Sequence, residues 1–253
     1  MLELYNAMQS TCSQKVRITL AEKGMDFVEH RLKLFKQDQL KPEYLKLNPN
    51  GVVPTLVHDG VPVIDSSVIM EYLDEVFPET SLTPQNPQQR AEMRAWMRFF
   101  EEVPTTAVRY PSYNAAFVRH FSEMSEAEFT GVATSKPLRD KFLGEMDKDK
   151  GFSDEKIKQA ENSIRKTVLR MEAKLKDQPY LLGEGISLAD ICILPPLIRM
   201  EDLGYSNLWS DLPGFRAWLE RMKARPSFKK AFYHGSLLSE QYPDIRDMQK
   251  RSA

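Results

Sequence analysis

The feature that most limits the fold is a break in hydrophobic period across Pro78 to Pro87. Pro78, Pro84 and Pro87 sit there among Thr, Ser, Asn and Gln, and a proline inside a helix removes a hydrogen bond and clashes with the preceding turn. A continuous helix through the segment is excluded, so it reads as a linker between one domain over 1–80 and a second over 88–253. The 253 residues, 42% of them hydrophobic, are enough to give each its own core.

Before the break the period changes repeatedly. An apolar run at Leu2 to Tyr5 gives way to a helical pattern through Val16, Leu20 and Ala21, closed at Gly24. A second strand is expected over Phe27 to Leu32. A short helix around Glu43 to Leu47 ends before the turn Asn48-Pro49-Asn50-Gly51. Thr55-Leu56-Val57 and Pro62 to Ile64, separated by Asp59-Gly60, have the syntax of a hairpin, and a helix from Ser67 to Phe77 follows. The order βαβα, hairpin, α predicts a mixed four-stranded sheet packed on helices, because a βαβ crossover makes parallel neighbours and a hairpin adds an antiparallel edge. Beyond the break no strand is expected. Ala91 to Phe100 is amphipathic, and Ile157, Ala160, Ile164, Val168, Met171 and Leu175 recur at intervals of three and four, so the second domain reads as a helical bundle. Met124 to Gly151, crowded with charges, reads as a surface excursion.

Composition narrows the partners. Lys plus Arg number 35 against 36 Asp plus Glu, a balance that offers no global field for nucleic acid or an anionic membrane. No apolar run approaches the ~18 residues of a spanning helix, and Leu2, Leu4 and Tyr5 open the chain without a basic segment and a long apolar stretch, so a cytoplasmic location is expected. Cys12 and Cys192 are too few for a secreted disulfide framework, and neither they nor the scattered His30, His58, His120 and His234 have metal-site spacing. No metal is expected.

The chemistry-bearing residues cluster in three places. Gln9 to Arg17 joins the first strand to the first helix and is rich in small hydroxyls. These can serve as a simple N-cap. Alternatively, the free N–H groups and positive dipole end favour an anion, and a hydroxyl beside them can donate to a thiolate. Gly51-Val52-Val53-Pro54-Thr55-Leu56 places a proline at a strand start. A cis bond there would turn the main chain of Val53 outward to pair with an extended peptide. Asp65-Ser66 precedes the helix from Ser67, either as a cap or as a site where hydroxyl and N–H groups hold a ligand carboxylate while Asp65 receives an ammonium. Ser187 to Asp190, before Ile191 to Leu194, has the form of a capping box with Asp at its fourth position, a folding role. Cys192 in that apolar helix belongs to the core.

These motifs, in this order, resemble the glutathione transferase superfamily over nearly the whole chain. Ser10 to Leu20 is similar to the zeta-class active-site signature, and Ser13-Gln14-Lys15-Val16-Arg17 also resembles plant dehalogenase-like members. Asn48 to Pro54 and Asp65 to Leu73 resemble the cis-proline loop and the γ-glutamyl-binding motif, and Leu181 to Asp190 the capping motif of the helical domain. Within the superfamily, Met124 to Phe129 and Tyr180 to Cys192 resemble bacterial β-etherases, which cleave lignin-derived aryl ethers with glutathione. Those etherases carry a Gly/Pro-richer loop where this chain has Met8 to Cys12.

The resemblance implies a thioredoxin-like α/β domain (βαβαββα) followed by an all-α domain, glutathione as co-substrate, a homodimer, and attack of the glutathione thiolate on an electrophilic carbon. Ser10 matches the zeta-class serine that donates to the thiolate, and Ser13 matches the etherase-like position. Val53, Pro54, Asp65 and Ser66 are implied to bind glutathione. Val52 departs from the Lys or Gln that many members use for the glycine carboxylate, leaving Lys41 or Gln39 for that role. The second, hydrophobic and aromatic substrate is expected between the domains, beside Thr106, Arg109, Tyr110, Tyr113, Asn114 and Phe117, which recur near helical spacing after Pro104, although Phe117 also suits a packing core. The tail after Tyr233 is long enough to fold over that pocket. Two alternatives stay open: thiol exchange or isomerisation through Cys12, and a non-catalytic protein of the same fold that binds hydrophobic ligands.

Overall fold

The computed structural model describes residues 1–135, 138 and 140–246. Strand β1 (Leu2–Asn6), helix α1 (Thr11–Glu22) and strand β2 (Val28–Arg31) form a βαβ unit with parallel strands. Gly24, at φ +65°, closes α1 in a conformation that costs glycine nothing. Two 3₁₀ turns, Leu34–Lys36 and Asp38–Leu40, lead into α2 (Pro42–Leu45). Strands β3 (Thr55–His58) and β4 (Val61–Ile64) then form the hairpin, with Leu56 opposite Val63. Its two turn residues, Asp59 at φ 49° and Gly60 at φ 83°, have the positive values that match the twist of the flanking strands. The sheet order is β2-β1-β3-β4, so Pro62 lies on an edge strand, where its missing N–H is tolerated. Helix α3 (Ser66–Val76) packs beside α1, burying Leu4 and Leu56 with Val16, Leu20, Ile69 and Leu73.

After Phe77 the chain is helical. Asn86 caps α4 (Pro87–Glu102), accepting from the N–H groups of Gln88 at 2.8 Å and Gln89 at 3.2 Å. The short α5 (Pro104–Ala107) and α6 (Arg109–Ser112) run into a π-helical stretch, Tyr113–Phe117. Then follow α7 (Glu126–Thr134), α8 (Asp140–Gly144), α9 (Asp154–Leu175), α10 (Leu188–Asp202), α11 (Pro213–Ala224), α12 (Pro226–Ala231) and α13 (Leu238–Gln241). The expected period of α9 holds, with Ala160, Ile164, Val168, Met171 and Leu175 buried. Helix α10 is buried nearly all round and packs on α1 and α4, which joins the helical part to the sheet. Among the described residues no strand follows β4 and no helix is long and apolar enough to cross a membrane.

Met124 to Gly151 is more ordered than a surface excursion. Ser125 and Glu128 form a reciprocal capping box at the start of α7, and Phe129, Ala133, Leu143 and Met146 bury themselves with Phe121 and Phe152 in a small separate core. Among the described residues of the segment the charged side chains are exposed, apart from the half-buried Lys148. Their density hid the few apolar residues that fold the segment.

Candidate active site

The loop from Ala7 to Ser10 is held by its carbonyls. Arg17 donates to the carbonyls of Ala7 at 3.3 Å and Met8 at 2.9 Å, and Arg199 donates to that of Gln9. With its carbonyls bound to two buried guanidinium groups, the loop delivers Ser10 to the first turn of α1 as the N-cap. The Ser10 hydroxyl oxygen accepts from the Ser13 N–H at 3.2 Å. A hydroxyl both accepts and donates, so this bond leaves its proton available. Ser10, Thr11 and Cys12 are half-buried and line one cleft. Ser13 is fully buried, its hydroxyl accepting from the Ala7 N–H at 3.3 Å, and it lies outside the cleft lining.

Across the cleft, the Val53–Pro54 peptide bond is cis. The carbonyl of Val52 is taken by the Tyr44 hydroxyl at 2.6 Å and the Asn48 amide at 3.0 Å. The N–H and C=O of Val53 have no partner among the described residues, so Val53 offers both to a ligand. Val52 and Val53 line the cleft, whereas Pro54, Asp65 and Ser66 do not. Asp65 stands at φ 72°, a strained value for a residue other than glycine. The cap of α3 is its carboxylate, which accepts from the N–H groups of Ser67 at 2.9 Å and Val68 at 3.3 Å. The sequence suggested a capping hydroxyl at Ser66. Instead Ser66 opens the helix as a largely buried residue.

The two residues expected near the glycine carboxylate separate. Gln39 is buried in the cleft wall, and its Oε1 is the buried side-chain polar atom that lacks a partner among the described residues. Leaving such an acceptor unpaired costs about 1–3 kcal/mol, which a bound N–H donor would recover and a carboxylate would not. Lys41 projects away, 53% exposed at its side chain and paired with Asp38 at 2.8 Å, and is not part of the lining.

Of the six expected acceptor residues, Arg109, Tyr113 and Phe117 line the cleft. Tyr110 instead packs edge-on against Phe142 and Phe152, Asn114 brackets the main chain of Phe152 at 2.7 and 2.8 Å, and the Thr106 hydroxyl turns back to the Glu101 carbonyl. The lining residues Thr105, Val108, Arg109, Ser112, Tyr113 and Phe117 recur at intervals of three and four and form one helical face, whereas Thr106, Tyr110 and Asn114 each stand one residue further on and fall on the neighbouring face. Thr105, Val108 and Ser112 take the vacated places. Phe35, from the first 3₁₀ turn, crosses to stack on His120 at 3.8 Å and lean on Phe117 at 5.4 Å. The described part of the tail does not line the cleft. Leu238 and Ile245 pack with Ala116 and Leu203, and Tyr242 bonds the back of His120 at 2.7 Å. Residues 247–253 of the tail lie outside the described residues.

Residues 9–76 match the glutathione S-transferase N-terminal domain family and residues 154–221 the corresponding C-terminal domain family. Protein LigF of Sphingobium sp. is 35% identical over 91% of this chain and 93% of its own length. The chain belongs to the glutathione S-transferase family. Glutathione S-transferase 1 of Dianthus caryophyllus is 34% identical over 78% of the chain and 76% of its own. The crystal structure of the β-etherase LigF superposes with a TM-score of 0.82 at 33% identity, covering 91% of this chain and 98% of that one. The family is one of enzymes that take glutathione as co-substrate.

In this transferase the cleft lining combines polar groups at Ser10, Gln39 and Val53 with an aromatic cluster of Tyr113, Phe117 and Phe35. No carboxylate is among the described lining residues, while Arg109, Arg199 and His120 are. Burial, then the charge of Arg119, lowers the pKa of His120 below its ordinary 6.5, so its ring is neutral at pH 7. Arg199 was missed from the sequence. It is the only charged residue between Asp190 and Glu201, and a lone charge in so apolar a helix is itself a signal.

Proposed function

We propose that this transferase activates the glutathione thiol for attack on a hydrophobic, aromatic electrophile, and that its leading reaction is cleavage of a lignin-type β-aryl ether. The observation that carries the proposal is one continuous cavity whose lining includes Ser10 and Val53 as well as Tyr113 and Phe117. A thiolate held at Ser10 is within the same cavity as an aromatic substrate held against the rings, which converts a two-body encounter into a positioned attack. In this reading Ser10 donates its uncommitted proton to the sulfur, beside the positive end of α1. Val53 pairs with the peptide backbone of glutathione, Asp65 and Ser66 hold its γ-glutamyl end, and Gln39 meets its glycyl end, Oε1 accepting from the glycyl N–H and the amide NH2 donating to the carboxylate. The name β-etherase borne by LigF supports the choice of ether.

A second reading rests on Cys12, whose place in the same lining lets it form a mixed disulfide with glutathione. Turnover of an aryl ether that releases a phenol and of a mixed disulfide separates the two. Wild type and Cys12→Ala are expected to release phenol at similar rates. If Cys12→Ala loses turnover of both probes while Ser10→Ala keeps it, the cysteine mechanism replaces the serine one. A wild type with no measurable affinity for glutathione would leave the fold as a non-catalytic ligand binder.

A further inference from the structure

Arg199 is only 6% exposed yet lines the cleft. A cation taken out of water must be repaid by partners, and here the buried Asp202 one turn along α10 contributes through its charge while the hydrogen bonds contribute little. Its hydrogen bonds go to two neutral oxygens, the Gln9 carbonyl and, at 3.4 Å, the Ser112 hydroxyl. A guanidinium has five N–H donors, so most of its capacity is unspent among the described residues. Burial lowers its pKa to about 10, with the charge of Asp202 working the other way, and at that value it keeps its proton at pH 7.

Its position is specific. Gln9 immediately precedes Ser10, and Ser112 immediately precedes Tyr113 of the aromatic wall. The guanidinium therefore ties the segment that carries Ser10 to the one that carries Tyr113 and faces the cleft between them. No carboxylate is among the described lining residues, and Asp202 acts on Arg199 from outside that lining; a preorganised cation at the place where negative charge develops lowers the barrier to its formation.

We infer that Arg199 holds the oxygen of the leaving group, stabilising the negative charge that collects there as an aryloxide departs. The inference rests on the ether-cleavage reading and assigns the half of that reaction which Ser10 does not serve. The thiolate sulfur forms a bond to the ether carbon, the carbon–oxygen bond breaks with its electron pair passing to oxygen, and the aryloxide gains a proton from water on release. No oxidant or reductant is involved. Arg199 transfers no proton, and its contribution is charge.

The test is the dependence of rate on the leaving group. A series of aryl ethers whose released phenols range from strongly to weakly acidic is compared in wild type, Arg199→Met and Arg199→Lys. Arg199→Met is expected to slow the least acidic leaving groups on the order of 100-fold, the loss typical of removing one oxyanion donor. It should affect the most acidic far less, giving a steeper dependence on phenol acidity, and Arg199→Lys should recover part of the loss. A uniform loss across the series, with the dependence unchanged, would overturn the inference and leave Arg199 as a residue that only positions the Gln9 loop. A measurement on wild type alone guards against a misfolded variant and against failure of the ether reading. With glutathione bound, a phenolate should bind more tightly than its uncharged methyl ether, and the preference should disappear as pH falls through the phenol's own pKa. Equal affinity for the two would overturn the inference even in a protein that cleaves ethers. A phenolate preference in a protein that cleaves none would support the anion site while removing the proposed reaction.

Discussion

Ser10 and Ser13 lie within one turn of α1, yet their hydroxyls do different work. The Ser10 oxygen accepts from the Ser13 N–H and keeps its proton for the cleft, whereas Ser13 is sealed behind it against the Ala7 N–H. A hydrogen bond to a charged partner is worth about 1.5–3 kcal/mol, and about 1.4 kcal/mol corresponds to one pKa unit. Ser10→Ala is therefore expected to raise the pKa of bound glutathione by about 1–2 and to slow thiolate attack at neutral pH about 10- to 100-fold. Ser13→Ala should leave that pKa in place and lower stability by about 1 kcal/mol through loss of a loop hydrogen bond. Ultraviolet titration of the bound thiolate decides between them, and a pKa moved by Ser13→Ala but not by Ser10→Ala would transfer the role.

At the scale of elements, the start of α10 concentrates stability in one side chain. Asp190 is fully buried and accepts from Leu181 N–H at 3.0 Å, Ser187 N–H at 3.0 Å, Ser187 Oγ at 2.7 Å and Trp218 Nε1 at 2.9 Å. A simple cap is worth about 0.5–2 kcal/mol, but Asp190→Ala would strand several buried donors at about 1–3 kcal/mol each. The expected loss exceeds about 3 kcal/mol, with unchanged glutathione affinity in the molecules that remain folded. Denaturant unfolding and calorimetric binding check the two separately, and a fully stable variant without turnover would show a catalytic role. The cap itself was legible in the sequence because Ser187 and Asp190 are three residues apart, while Trp218 and Leu181 reach Asp190 only in the fold. The same distinction runs through the chain. The Asp59-Gly60 hairpin depends on adjacent residues and could be read locally, whereas the cis bond before Pro54 stood in the sequence as one of two possibilities beside an ordinary strand start. The core shared by α7 and α8 depends on Phe121 and Phe152, and which face of the helical path after Pro104 turns to the cleft is set by tertiary packing, since Thr105 to Phe117 offers polar and aromatic residues on two adjacent faces. Half of the expected acceptor wall was misplaced for that reason, and Phe35 was missed because it arrives from the other domain.

At the scale of the whole molecule, the sheet and the helical part are joined by buried charges as well as by apolar contact. Lys15 of α1 meets Glu101 of α4 at 2.5 Å, and Arg17 of α1 donates to the Ala231 carbonyl at 2.9 Å. At the far end of α1, Glu22 accepts from Arg225 through both carboxylate oxygens, at 2.5 and 2.7 Å, and from the Ser227 hydroxyl. Burial alone would raise the pKa of Glu22, but the hydrogen bonds from Arg225 and Ser227 and the charge of Arg225 outweigh it, leaving the folded value below the ordinary 4.5. A carboxylate with a depressed folded pKa contributes stability that is fully present above its unfolded pKa and is lost as pH falls through the folded one. Glu22→Gln keeps the shape of the side chain and removes its charge, so at pH 7 it is expected to cost about 1.5–3 kcal/mol, the range of hydrogen bonds to a charged group. That cost should stay constant from pH 7 down to about 4.5. Below that value the wild type should lose stability faster than the variant as Glu22 protonates, and the gap between them should close. Urea midpoints for both proteins at a series of pH values between 7 and 3 measure the gap directly. A gap that holds constant to the lowest pH would mean that the contribution of Glu22 to the junction is packing, and that its charge does not help tie α1 to the helical domain.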